Sequence, residues 1–157
     1  MKLFVTSTPA LPPKSQAVKK IAILFAVILT VMAVAQLYTF EAFMEVVALL
    51  GLPVSDGIAS ALPPILIAAE VFALPFLLRM SLSPAFRWFS MLCGWFVAVA
   101  WFLISAWVVG TNQSVSTIGY LGDLVQLVPG WWAVCLSFAL IILATWCAWG
   151  LWPGRRR

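Results

Sequence analysis

Residues 61–78 read ALPPILIAAEVFALPFLL, eighteen positions that hold a single ionisable group, Glu70, and end immediately before Arg79. A helix needs about 20 mostly apolar residues, at 1.5 Å rise each, to cross a hydrocarbon layer of about 30 Å. The stretch therefore predicts a membrane-spanning helix with one acid inside it. Three further runs of the same character lie outward from it, at about 18–38, 88–109 and 131–151. The whole chain of 157 residues is 64% hydrophobic and 9% charged, against roughly 25% charged for an ordinary soluble domain, and its mean hydropathy is +1.10. The expected fold is all-α. We read a polytopic membrane protein: a four-transmembrane-helix bundle forming one domain over 18–152, between a disordered tail (1–17) and a basic tail (153–157).

Charge placement orients these spans. Lys2, Lys14, Lys19 and Lys20 precede the first span, Arg79 and Arg87 separate the second and third, and Arg155, Arg156 and Arg157 follow the fourth. Glu41, Glu45, Asp56 and Asp123 all fall in the other two connections. Lysine and arginine mark the cytoplasmic side of short loops, so both termini are expected in the cytoplasm. The net charge of +4 is thus a set of flanks to spans and does not indicate nucleic acid. Lys19-Lys20, the apolar run and Ala33-Val34-Ala35 before Gln36 also resemble a secretory signal with a small-residue cleavage site. Against that, the run continues through Leu37 and Tyr38 with no polar region and is long enough to span, so it reads as the first helix.

Finer patterning adds detail. In the tail, Pro9, Pro12 and Pro13 break any period of 2 or 3.6. Ala22, Ala26 and Thr30 in the first span, and Gly94 and Ala98 in the third, predict seams of small side chains for close helix approach. Phe40, Phe43, Met44, Val47 and Leu50 follow helical spacing before the stop Gly51-Leu52-Pro53, which predicts a short interfacial helix in the first external loop. Glu41 and Glu45 lie one turn apart on its other side. They suit either a solvated acidic face or, less simply, a bound cation. Pro63-Pro64 is read as the opening turn of the second span, whereas Pro75 removes a backbone hydrogen bond inside it and should bend it.

Trp88, Trp107, Trp131, Trp132, Trp149 and Trp152 fall near span ends as interface anchors, leaving Trp95, Trp101 and Trp146 at depth. In the last loop, Tyr120, Leu121, Leu124, Val125, Leu127 and Val128 surround Asp123 and predict a short re-entrant or interfacial helix. Asn112-Gln113-Ser114 matches a glycosylation sequon by three residues only.

The chain has no histidine, which removes the commonest general base and transition-metal ligand. Cys93, Cys135 and Cys147 lie within spans and form no C-x-x-C pair. Walker, Rossmann, G-x-S-x-G and H-E-x-x-H patterns are missing. No catalytic residue and no metal site are expected. Glu70 is the exception, because a charge near the bilayer centre costs at least about 2.5–3.5 kcal/mol. It is expected to be protonated or strongly hydrogen-bonded. Two readings stay open: a proton or quinone-ring contact, with Trp95 and Trp101 as neighbours, or a structural hydrogen bond to backbone, Ser105, Ser137 or Thr145. Glu41, Glu45 and Asp123 are the external-loop candidates.

The run Tyr38-Thr39-Phe40-Glu41-Ala42-Phe43, then Leu50-Gly51-Leu52-Pro53, then Ala68-Ala69-Glu70 with Phe72 and Leu74, resembles the front half of the DoxX/MauE-type four-helix membrane proteins. The likeness covers about residues 20–80; the back half matches only in span number and length. Where many relatives carry a Gly and a Lys or Arg near the outer end of the first span, this chain has Gln36 and Tyr38, so an ion pair to Glu70 is not carried over. The resemblance implies a non-catalytic accessory or assembly subunit of a redox system in the inner membrane of a bacterium, joined to a larger membrane or periplasmic complex. A second implication is a quinone-binding oxidoreductase subunit, with quinone as its cofactor. A small proton-coupled carrier is the remaining reading, disfavoured by a single intramembrane acid and no repeat between halves.

Overall fold

The computed structural model describes residues 12–112 and 115–151, apart from the side chain of Asp56. Most of the expected amino tail, with Lys2, lies outside the described residues, as do Gln113 and Ser114 of the sequon, Trp152 and the basic tail. Five helices follow in order: α1 (Gln16–Tyr38), α2 (Phe40–Leu49), α3 (Asp56–Leu77), α4 (Pro84–Gly110) and α5 (Trp131–Leu151). All but α2 are long and apolar enough to cross a membrane, so the chain is a multi-pass membrane protein with an all-helical fold.

Local chemistry explains most boundaries. The Ser15 hydroxyl accepts from Val18 N to start α1, and Ser83 accepts from Phe86 N to start α4 with Pro84 in its first turn. Each serine satisfies an N–H that has no helical partner, and proline there forgoes a bond the helix end lacks anyway. The start of α3 differs from expectation. It begins at Asp56, so Pro63 and Pro64 lie inside the helix and not in its opening turn. Gly57 and Ser60, weak helix formers, hide those first two turns from a propensity reading.

The short helix α2 forms where its spacing predicts, with Phe43, Val47 and Leu50 buried and Glu41 and Glu45 exposed. Gly51 at φ 52° ends the segment. The apolar face of α2 meets the bundle, packing on α3, with the Phe43 ring 6.4 Å from that of Trp101.

The four long helices close a ring in which α1 touches α3 and α5, and α4 touches α3 and α5. Gly94 faces α3 and α1 in the packed seam, where a Cβ would stand in ordinary contact, 3.6 Å from Ala73 Cβ and 3.8 Å from the Phe25 ring. The other seam runs differently from the pattern Ala22, Ala26, Thr30. Ala22 and Ala26 are buried, but Thr30 is exposed, its hydroxyl turned onto the Ala26 carbonyl at 2.8 Å. A strict four-residue repeat drifts around a helix of 3.6 residues per turn, and the buried face continues through Leu29 and Ala33.

At one end of the bundle lie Lys14, Lys19, Lys20, Arg79 and Arg87; Glu41, Glu45 and Asp123 lie in the connections at the other. We call these the basic end and the loop end. At the basic end α1 and α5 meet through Gly150, where a Cβ would come within 2.5 Å of both Val18 methyls. Lys14 N donates to the Gly150 carbonyl at 3.2 Å, and Lys14 Nζ donates to the Trp149 carbonyl at 2.6 Å while sitting 4.2 Å over the Trp149 ring.

The backbone near Pro75 is repaired from outside. Ser90 Oγ on α4 accepts from Phe76 N at 3.0 Å and donates to the Phe72 carbonyl at 2.6 Å. It serves a stretch of α3 where proline has removed one donor. Ser90→Ala should strand the Phe76 N–H in a buried site and destabilise the protein by about 1–3 kcal/mol. Denaturation in mild detergent measures this, and Ser90→Thr should retain more stability than the alanine variant.

The segment from 115 to 130 is not the helix expected around Asp123 but a folded loop. Gly119 at φ 92° and Gly122 at φ 58° place turns where a helix would have run. Leu124, Val125 and Val128 point outward, whereas Tyr120 is buried.

Candidate functional site

Glu70 lies on the inner face of α3 and is completely buried. Its carboxyl Oε1 accepts from Gln36 Nε2 at 3.2 Å and from Trp101 Nε1 at 3.4 Å. The meeting of α1 and α3 follows from helix geometry. Cα–Cβ bonds tilt toward a helix's N-terminus, and the two helices run in opposite directions. Gln36 therefore leans away from the loop end and Glu70 toward it. Since Gln36 is two residues from the end of α1, the polar cluster sits under the loop.

Gln36 extends the cluster by donating also to the Tyr120 carbonyl at 3.0 Å. The Tyr120 ring stacks on Trp101, with centroids 4.6 Å apart. Its hydroxyl lies 2.8 Å from Ser105 Oγ and donates to the Ala133 carbonyl at 3.0 Å. Ser137 Oγ reaches Ser105 Oγ at 3.3 Å. Burial pushes the Tyr120 phenol above its ordinary pKa, while hydrogen bonds with Ser105 and Ser137 oppose that rise. The result joins α1, α3, α4, α5 and the last loop through one buried polar network.

The loop is seated by close fit as well. Thr39 Oγ1 accepts from Asp123 N at 3.1 Å and donates to the Ala35 carbonyl at 3.1 Å. A Cβ at Gly122 would collide with that same oxygen. Gly119 sits against Phe43, whose ring a Cβ would approach to 3.1 Å.

The residues singled out in the sequence separate into groups. Glu70 and Trp101 belong to the network, but Trp95 does not. It is half-buried and borders an apolar groove of about 790 Å3 along α4, closed toward the loop end by Leu52, Pro53 and Trp107. Trp146 is exposed on α5. Glu41, Glu45 and Asp123 are exposed in their connections, whereas Glu70 is buried. The partners expected for Glu70 are also corrected: Ser105 bonds with the Tyr120 hydroxyl, Ser137 turns onto the Ala133 carbonyl at 2.6 Å and reaches Ser105, and Thr145 donates to its own helix at the Ile141 carbonyl. Hydroxyls in helices turn readily onto the carbonyl one turn back, whereas an amide side chain is long enough to cross between helices.

Gln36 and Tyr120 are partners that the sequence does not announce. The available signal was a lone amide in an otherwise apolar span. Cys93 and Cys147 are buried as free thiols, and Cys135 is exposed. Among the described residues no three of Cys, Asp and Glu gather as metal ligands. What the arrangement offers chemically is one carboxyl in a fully buried site, with two N–H donors on one oxygen. No family model, curated protein or solved structure matches the chain.

Proposed function

We propose that this protein is an accessory or assembly subunit of a redox system in a bacterial inner membrane, with both chain ends cytoplasmic. Its work is done by holding a shaped loop end toward a larger membrane or periplasmic complex, without catalysis of its own. The observation that carries this reading is the use made of Glu70. The one acid inside the spans is spent on joining helices, with Gln36 and Trp101 as its partners, and the same network seats the loop on the bundle. A proton carrier needs its acid beside a path, and a ring-binding site needs free polar groups facing an opening. The orientation is supported by the split of charge between the basic and loop ends. The redox setting rests on the DoxX/MauE resemblance of residues 38–74.

Extraction in gentle detergent, followed by mass spectrometry of what travels with the protein, tests this. A stoichiometric redox-complex component is expected, and its loss on recharging Glu41 and Glu45 to lysine would place the contact at the loop end. A protein that purifies alone sinks the proposal.

A quinone-binding role is the second reading, favoured by the groove along α4. Its walls are almost entirely apolar and suit a prenyl chain. Quinone in a lipid extract of the pure protein, displaced by Trp95→Ala, supports this alternative.

A further inference from the structure

Two oxygens in the buried network have no hydrogen-bond donor among the described residues: Glu70 Oε2 and Gln36 Oε1. Both side chains are fully buried, and a buried polar atom without a partner costs free energy that native proteins rarely leave unanswered. The two atoms are not independent. They are the remaining polar atoms of the two groups already joined through Gln36 Nε2 and Glu70 Oε1. Gln36 Nε2 has two hydrogens, and both are engaged, on Glu70 and on the Tyr120 carbonyl. The amide orientation is thereby set, since turning it over would place an oxygen against that carbonyl.

A carboxylate meets none of this deficit, because it has no hydrogen to give. A carboxylic acid meets all of it. We infer that Glu70 and Gln36 form a proton-binding acid–amide pair, in which a hydrogen on Glu70 Oε2 is donated to Gln36 Oε1 while Gln36 Nε2 donates back to Glu70 Oε1. One proton then lets Glu70 Oε2 donate and Gln36 Oε1 accept, so both orphaned oxygens gain a partner, and the site holds no net charge. No other described cation offers itself: Lys14, Lys19, Lys20, Arg79 and Arg87 are all at the basic end, and the groups around the carboxyl are Gln36, Trp101 and, through Gln36, Tyr120. The inference goes beyond the accessory role and does not depend on the redox setting.

Infrared spectroscopy of the full-length protein in an ester-free alkyl maltoside detergent tests it directly. At neutral pH the wild type should show the carbonyl stretch of a protonated carboxylic acid. The band should vanish in Glu70→Gln and shift in Gln36→Leu, which removes the acid's acceptor. Glu70→Gln should also melt within a few degrees of wild type, because a carboxamide donates and accepts at the same two positions. Absence of the band at neutral pH overturns the inference, as does a band that Glu70→Gln leaves in place. If Gln36→Leu does not fold, the Glu70→Gln pair of measurements decides alone. A partner complex found or not found by co-purification leaves these readouts unchanged, so the two proposals fail separately.

Discussion

Glu70→Ala is expected to lower stability by about 2–4 kcal/mol in detergent or bilayer, read as a fall in melting temperature. Two effects add. The Trp101 N–H loses its acceptor in a completely buried site, which costs about 1–3 kcal/mol. The missing carboxyl also leaves a void between α1, α3 and α4, and large-to-small changes in a packed core carry a cavity cost of their own. The damage should reach the loop, because Gln36 loses one of the two bonds that orient it toward the Tyr120 carbonyl. Faster proteolysis between 115 and 130 in the alanine variant checks that part. Unchanged melting and unchanged cleavage would mean that the carboxyl is not a structural joint.

The second large effect is expected at the opposite end. Gly150→Val should open the contact between α1 and α5, because even a Cβ there would lie within 2.5 Å of both Val18 methyls. Val18 is buried and branched at Cβ, so its χ1 has little freedom to turn aside. The helices must separate, and overpacking of this kind costs about 1–3 kcal/mol, occasionally more. Gly150→Ala should cause a smaller loss of the same sign. Val18→Ala should relieve much of the defect when combined with Gly150→Val, and a double-mutant cycle measures that coupling. Additive losses would show that the contact does not set the helix spacing.

Much of the fold was legible in the residues. Apolar runs long enough to span announced α1, α3, α4 and α5, and helical spacing from Phe40 to Leu50 announced α2. The charge map alone separates the basic end from the loop end. Glu70 stood out because a lone acid in a span is costly wherever it lies. Its partners were less visible for a physical reason. Gln36 sits near a span end, where a polar residue ordinarily needs no explanation, and its importance depends on the opposing tilts of α1 and α3. Tyr120 is 84 residues further on, in a segment whose apolar residues mimic a helix. Gly119 and Gly122, which turn that segment into a loop, show their role only once positive φ angles are observed. The early start of α3 was hidden in the same way by Gly57 and Ser60.

The first helix is fastened at both ends by segments that follow it in the chain. Near its start, Lys14 and Val18 meet Trp149 and Gly150; near its finish, Gln36 meets Glu70 and then Tyr120. If the helices enter the bilayer in chain order, α1 arrives with a lone amide and no companion for it. It gains one partner when α3 arrives, a second when the loop before α5 is made, and its other clasp only with the final turns of α5. In that order of assembly α5 closes the last clasp, and a chain stalled before residue 149 would lack the contacts of Lys14 and Val18 with Trp149 and Gly150.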